Sequence, residues 1–377
     1  MTKIAIIGAG NAGCISALHF YYYAHDKYEI EIYHSPEEHP IERVGQGTVV
    51  PPAELIASVL DLNWYAPENP IGATFKTGIL YEGWGKSKDE FFHPFPMTNM
   101  SMHYVPQKLS NAVLESGLFK VKQQTINDPE KEIDSDWIID CRGRRNRDKD
   151  NYEPLINPLN SCLLYRKEGR DSNLIYTRTV ATPNGWTFVV PNSDSVSYGY
   201  LYNDTITSTQ VAREDFLERF NLPETDGSNL KFDNYIAKNV CVGERTFLNG
   251  NRCGFLEPLE ATATGFYQNV CQAIYCTTIG AIPREKVNTY VREEMFRLEK
   301  FILWHYQFGS KYDTPFWKYA KSLPFEPDDK FNYMVEVSKN MTNLEIDKQY
   351  DPRISDLYGQ WSYISFKNWY ENSLDIS

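Results

Sequence analysis

A chain of 377 residues, 42% hydrophobic and 23% charged, holds enough material for one large or two medium globular domains with a sizeable core. Its formal net charge of −12 excludes nucleic acid or an anionic membrane as the main partner, and no apolar run reaches membrane-spanning length. The seven cysteines are odd in number, scattered and without a Cys-x-x-Cys. That is the pattern of reduced, mostly buried thiols in a cytoplasm, not of a disulfide frame or a zinc site.

Lys3–Ile7 is a short apolar run, followed at once by Gly8-Ala9-Gly10-Asn11-Ala12-Gly13 and a helical stretch through Tyr23; Glu29–Tyr33 alternates as a second strand. Gly-x-Gly-x-x-Gly between strand and helix marks a dinucleotide-binding βαβ unit. Its glycines permit a tight turn and close backbone approach, and the helix N-terminus offers amides to a pyrophosphate. A strand opening at Lys3 leaves no room for a signal peptide, so a cytoplasmic location is expected. The end of the second strand, Ile32-Tyr33-His34-Ser35, lacks the acidic residue that usually holds the ribose hydroxyls, and Glu37 and Glu38 follow too late for that role.

Ser135–Gly143 reads as a buried strand closing the nucleotide-binding sheet, and Arg144–Pro158 as a polar crossover loop. The arginine-rich Arg142–Arg147 reads as a local loop. Ser161–Tyr202 carries short strands with turn signals, an antiparallel sheet. Lys231–Gly243 returns to strand character and leads through Glu257–Gly265 into a helix. Val287, Tyr290, Val291, Met295, Leu298, Ile302 and Tyr306 mark an amphipathic helix over Lys286–Tyr306. From Asp328 onward the pattern assigns no architecture.

Eight blocks, in order, resemble the flavin-dependent tryptophan halogenase family. They are the glycine motif, Val44-Gly45-Gln46-Gly47-Thr48, Ala73–Ile79 with Lys76 at its centre, His93-Pro94-Phe95, Tyr176-Thr177-Arg178, Gly185–Pro191, Gly254–Glu260 and Asp313–Trp317. The departures are equally specific. The family's Trp-x-Trp-x-Ile-Pro stands here as Trp186-Thr187-Phe188-Val189-Val190-Pro191, and its Glu-Ser-Thr-Gly as the longer Glu260-Ala261-Thr262-Ala263-Thr264-Gly265. Gln46 replaces an acidic residue, and the region after Trp317 is shorter, with no match to the substrate-covering tryptophan.

The resemblance implies an α/β fold: an FAD-binding Rossmann-like (flavin monooxygenase-like) domain over 1–310, with an antiparallel substrate-side sheet inserted at 160–230 and a helical C-terminal substrate-side region over 311–377. It implies that FAD, used as FADH2, is held by Gly8, Gly10, Asn11, Ala12, Gly13, Val44, Gly45, Gly47, Thr48, Gly243 and Pro258. Reduced flavin, dioxygen and halide would yield hypohalous acid. Lys76 would deliver this acid to an electron-rich aromatic of indole or phenol type, with Glu260 as its carboxylate partner. His93, Pro94 and Phe95 would bind the substrate ring, Thr262, Thr264 and Gly265 the halide, and Trp186 and Phe188 would wall the flavin from the substrate. Losing the serine hydroxyl at Ala261 points to bromide or iodide over chloride. No second nucleotide fingerprint is present, so a separate flavin reductase is implied; no metal is, and self-association is left open. Alternatives are a flavin-dependent aromatic monooxygenase, which needs neither Lys76 nor Glu260, and a catalytically silent flavin-binding protein. Each marked residue also has a plainer use: Lys76 as an exposed strand lysine, Glu260 as a helix-capping carboxylate, Trp186 and Phe188 as core.

Overall fold

Residues on both faces of Thr2–Ile7 (β1) are buried, with Ile4, Ala5 and Ile6 at 0% exposure, as an interior parallel strand requires. The computed structural model describes residues 1–36, 45–48, 50–63, 66, 68–85, 89–95, 101–223, 229–342, 345, 367 and 371; Val44, Glu37 and Glu38 lie outside them. β1 pairs in parallel with Tyr28–His34 (β2) on one side and with Trp137–Asp140 on the other. The helix between β1 and β2, Asn11–Ala24 (α1), completes the expected βαβ unit. Its residues from Ala12 to Phe20 are all buried, and only its Tyr22-Tyr23 end emerges into solvent.

The chain divides into two compact units. The first (1–75, 100–155 and 233–295) is built on a sheet in the order Cys241–Val242, Thr246–Leu248, Trp137–Asp140, β1, β2, Lys120–Gln123. Trp137–Asp140, expected to close this sheet, is interior instead. Thr246–Leu248 adds beside it in parallel, and a three-residue strand is too short to announce itself in the sequence. The expected crossover loop Arg144–Pro158 likewise holds a 3-10 turn, Lys149–Asn151, and a strand, Tyr152–Pro154. That strand joins Tyr235–Ala237 and Gly254–Phe255 in a small sheet. The Thr262–Thr278 helix packs on α1.

The second unit (76–99, 156–232 and 296–377) carries a sheet in the order Asn229–Lys231, Ser161–Glu168, Ser195–Tyr202, Gly185–Pro191, Thr177–Thr182, Gly78–Glu82, Glu90–Pro94. It is antiparallel as expected, except that Thr177–Thr182 runs parallel to Gly78–Glu82. The Thr209–Phe220 helix covers one face, closing Ala212 and Phe216 over Leu163, Tyr200 and Tyr202.

The amphipathic helix runs over Arg284–Phe308. It ends at Gly309, whose φ of +71° no branched residue would adopt cheaply and whose N–H bonds to the His305 carbonyl at 3.2 Å. Val287, Val291, Met295, Ile302 and Tyr306 are buried, while Tyr290 is 41% exposed. Asp329–Asn340, left unassigned by the sequence pattern, is a helix capped by the Asp328 carboxylate, which accepts from the Phe331 N–H at 2.9 Å. No described helix is long and apolar enough to cross a membrane. All seven thiols are free, and burial pushes those of Cys14 and Cys271 up to about 12, which leaves them inert.

His19, mid-way along α1, is 1% exposed and packs against Phe20, Tyr23 and Tyr275. Neither ring nitrogen has a hydrogen-bond partner among the described residues. Burial lowers its pKa from 6.5 to about 3. The unfolded chain takes up this proton below 6.5 and the folded chain does not, so stability is complete above 6.5 and falls as the pH drops, by about 1.4 kcal/mol per unit. His19→Phe removes that sensitivity. In urea titrations at about pH 7 and pH 4.5, the variant should lose about 2–3 kcal/mol less than the wild type between the two conditions; an equal loss would refute this account of His19.

Candidate active site

The turn from β1 into α1 needs three glycines for different steric reasons. Gly8 has φ +104°, and a Cβ there would stand 2.7 Å from the Cys141 carbonyl oxygen; a Cβ on Gly13 would collide with the Gly8 carbonyl. Gly10 has an ordinary φ of −74°, and nothing lies within 4 Å of where its Cβ would be. Two glycines are therefore demanded by packing, and the third keeps a space open. That space faces the start of α1, where Gly10 is the N-cap and no side chain caps the helix. Bare first-turn amides behind a glycine cradle fit the pyrophosphate of a dinucleotide such as FAD.

A second segment is tied to this cradle. Tyr104 Oη donates to Asn11 Oδ1 at 3.2 Å, while Tyr104 and His103 pair with Gln46 and Gly47. The Thr48 N–H bonds to the Met102 carbonyl at 2.8 Å, and its hydroxyl accepts from the Met102 N–H at 3.1 Å. Gly45–Thr48 is thus held beside the start of α1. Gly250 packs directly on Ala12 from the 3-10 turn Gly250–Arg252. Midway along β2, Glu31 is engaged by Lys122 and Tyr33, each at 2.8 Å. Ser35 and Thr125 hydroxyls, 3.0 Å apart, stand where a ribose carboxylate partner was missing from the sequence.

The turn into the Thr262–Thr278 helix is strained. Glu260 (φ 71°) and Ala261 (φ 52°) are successive non-glycine residues in the left-handed region, at about 1–2 kcal/mol each. A left-handed residue followed by right-handed Thr262 makes consecutive amides converge, and no side chain caps this helix either. Thr264 is 1% exposed, and its hydroxyl oxygen has no hydrogen-bond partner among the described residues. Convergent amides with a buried, unsatisfied hydroxyl suit a small dehydrated anion. Thr262 and Gly265 are buried alongside, Pro258 begins the turn, and Glu260 itself is 5% exposed.

In the second unit Lys76 is 1% exposed, with Nζ 5.1 Å from the centre of the Phe95 ring. The register Ile79↔His93 and Gly78↔Pro94, with the Phe95 N–H bonding the Thr77 carbonyl at 2.9 Å, brings His93-Pro94-Phe95 alongside the lysine. Only glycine fits at 78, since a Cβ would collide with the His93 carbonyl. His93 is equally buried; burial first, then the charges of His305 and Lys76, hold its pKa well below 6.5. It is therefore a neutral ring, edge-on to Phe95 at 5.9 Å. His305 donates its Nδ1–H to the Phe301 carbonyl at 2.8 Å, and Tyr81 faces both imidazoles, at 6.4 and 6.5 Å. Trp186 donates from Nε1 to Tyr306 Oη at 3.0 Å within a cluster that includes Trp84. Phe188 lies over Gly199, where a Cβ would collide with its ring. Trp186 is thus a core residue, while Phe188 is only partly buried.

The expected residues divide between the units: Lys76, His93, Pro94, Phe95, Trp186 and Phe188 belong to the second, and the other described ones to the first. Gly243 is not brought to the glycine cradle. It lies at the turn of the outermost hairpin with φ +63°, leaving room for the Glu130 carboxylate. A cleft of about 620 Å³ opens there, lined among others by Asp140, Arg142, Gly243 and Arg252. Its buried charges satisfy one another, Asp140 binding Arg142 at 2.7 Å and Arg252 at 3.2 Å. Sequence reasoning missed Asn249, which is wholly buried with Nδ2 3.1 Å from both the Ser16 hydroxyl and the Tyr267 carbonyl, locking α1 to the Thr262–Thr278 helix. It also missed His305, whose place in an amphipathic pattern gave no signal.

Gly10→Val should leave the melting temperature nearly unchanged and abolish FAD binding, whereas Gly8→Val should destabilise the fold as well. Thermal denaturation and flavin titration of both variants test this, and retained FAD affinity in the Gly10 variant would refute the cradle. Ala261→Gly should stabilise the protein by about 0.5–1 kcal/mol, strain relief outweighing the added chain entropy; denaturant titration would reveal the opposite sign if the left-handed turn were unstrained.

A family model described as tryptophan halogenase matches residues 3–116 and 110–366. Among curated proteins the chain is similar to tryptophan 7-halogenase RebH of Lentzea aerocolonigenes, 28% identical over 211 residues covering 51% of this chain and 39% of that one. It is also similar to tryptophan 6-halogenase ThaL of Streptomyces albogriseolus, 23% identical over 255 residues covering 62% and 46%. The matched stretches thus span less than half the length of these relatives. Among solved structures it shares the fold of a thermophilic tryptophan halogenase from Streptomycin violaceusniger, with a TM-score of 0.78 and 17% identity over 100% of this chain and 92% of that one. Xcc4156, a flavin-dependent halogenase from Xanthomonas campestris, gives a TM-score of 0.74 and 18% identity over 99% and 94%. With its family model matched along most of its length, the chain belongs to the tryptophan halogenase family.

Proposed function

We propose that this protein is an FAD-dependent halogenase of electron-rich aromatic compounds, indoles or phenols, supplied with reduced flavin by a separate reductase. The observation that carries the proposal is Lys76, an amine 1% exposed and set over the Phe95 ring beside His93. Burying a lysine is expensive, and a strand lysine with no chemical task would sit in solvent.

Gly8, Gly10, Asn11, Ala12 and Gly13 hold the FAD pyrophosphate, with Gly45, Gly47, Thr48 and Pro258 around the rest of the cofactor. Bound in its reduced form, the flavin supplies with dioxygen and halide the hypohalous acid that the substrate consumes. Lys76 donates an N–H to the oxygen of that acid, withdrawing electrons from the halogen. A ring carbon of the substrate gives its electron pair to the halogen, the oxygen–halogen bond breaks, and the oxygen takes the Lys76 proton and leaves as water. Glu260 stabilises the cationic ring and takes up the proton lost from the substituted carbon. His93 and Phe95 hold the flat ring by stacking, and Trp186 and Phe188 keep flavin and substrate apart. Thr262, Thr264 and Gly265 receive the halide. Ala261 offers no hydroxyl there, so bromide and iodide, which cost less to dehydrate, are favoured over chloride.

The test is mass spectrometry of reactions containing the protein, FAD, an NADH-driven flavin reductase and bromide, against an indole and phenol panel. The expected product shows bromine's isotope doublet, and Lys76→Ala should lower its rate by about 10²–10⁴-fold without altering flavin affinity. Products that gain only oxygen, with Lys76→Ala fully active, would establish a monooxygenase instead. A preference for chloride in equimolar competition would overturn the halide assignment.

A further inference from the structure

The arginines of Arg142–Arg147 have no part in the chemistry above, yet the fold places them beside the dinucleotide cradle. The loop leaves Trp137–Asp140 at its C-terminal end, where ligands of parallel α/β sheets bind. Its first residues touch the fingerprint: the Cys141 N–H bonds the Ile7 carbonyl at 2.8 Å, and a Cβ on Gly8 would lie 3.4 Å from the Arg142 nitrogen. Farther along, Arg252 Nη1 donates to the Arg145 carbonyl at 2.8 Å. Arg252 belongs to the turn that packs through Gly250 on Ala12 in the first turn of α1. Both ends of the loop are therefore fastened to elements that form the cradle.

Its arginines divide by role. The Arg142 guanidinium is bound by Asp140 and the Ile126 carbonyl, and Arg147 lies 3.7 Å from the centre of the Tyr235 ring; these two hold the loop. Arg144 and Arg145 are exposed to solvent, Arg144 resting over Phe255 at 4.7 Å. Between Asp140 and Asp150 the chain has five cations against three carboxylates, in a protein of net charge −12. An acidic protein repels an approaching pyrophosphate, and a cluster of cations at the mouth of its site reverses that field locally.

We propose that Arg144 and Arg145 steer the anionic flavin dinucleotide onto the cradle, raising its association rate while contributing little to its retention. The proposal rests on the FAD site described above. A flavin reduced elsewhere must arrive by diffusion before it is reoxidised, so capture rate is the quantity such a site needs.

The test is stopped-flow binding of oxidised FAD, followed by flavin fluorescence, to the full chain and to a double variant, Arg144→Gln with Arg145→Gln. The measurement is made at about 0.01 M ionic strength, where the Debye length is about 30 Å, and at about 1 M, where it is about 3 Å. Expected is a slowing of association by about threefold to tenfold at low salt, vanishing at high salt, with dissociation unchanged. Arg144→Lys with Arg145→Lys should restore the wild-type rate, and circular dichroism of all variants excludes misfolding. Equal association rates at low salt would overturn steering; an effect confined to dissociation would overturn it in favour of a direct contact. Failure of the wild type to bind FAD at all would overturn the cofactor assignment, and steering with it.

Discussion

The steric contact between Gly8 and the Cys141 carbonyl, with that between Gly13 and the Gly8 carbonyl, is the constraint on which the first unit depends. These contacts let β1 turn sharply enough for α1 to start close over the sheet's C-terminal end. They also fix where Trp137–Asp140 ends, because its next residue is one of the touching partners. Once α1 is so placed, its circumference is buried, and Asn249 can reach both Ser16 on α1 and the Tyr267 carbonyl on the Thr262–Thr278 helix. Two helix N-termini without side-chain caps are thereby held in fixed positions by one buried amide. A side chain at either packing glycine would shift both termini, not merely obstruct one.

The second unit is organised by a different difficulty, the burial of basic groups. Lys76, His93 and His305 are each at most 1% exposed. Burial, with His305 and Lys76 as basic neighbours, keeps the His93 imidazole neutral. The face of Phe95 gives the lysine electrostatic support, worth about 2 kcal/mol or more when desolvated.

How much of this the sequence disclosed follows from the range of the forces involved. The βαβ unit was legible because strand, glycine motif and helix follow one another directly along the chain, and the Lys286–Tyr306 periodicity because a helix repeats its own pattern. Thr246–Leu248 was illegible: three residues make a strand only by joining an edge already present. Gly243 misled for a related reason, since a glycine needed for a hairpin turn looks the same in sequence as one needed to approach a cofactor. The strain at Glu260 and Ala261 was equally hidden. Nothing in Leu259-Glu260-Ala261-Thr262 signals a left-handed backbone, and only the surrounding packing enforces it. The pairing of the Ser35 and Thr125 hydroxyls just beyond β2 was hidden as well, because residues 90 apart in the chain had to be brought together.

The proposed ligands of the first unit, a halide and a dinucleotide pyrophosphate, are both anions, while the chain carries a net charge of −12. This is no contradiction once distance is considered. At physiological ionic strength charges are screened over about 8 Å, so the diffuse acidity of the surface scarcely reaches an enclosed site. Inside, the potential comes from fixed dipoles: bare amides at two helix starts and the Thr264 hydroxyl. Such dipoles need no counter-charge and, unlike lysines, cannot migrate to the surface when the anion leaves. Their drawback is that amides converge only in unfavourable backbone geometry, which is where the left-handed Glu260–Ala261 turn comes in. The strain there is the stability that the proposed anion site would give up, and residues other than glycine persist in that conformation because the surrounding core, not the local chain, holds them.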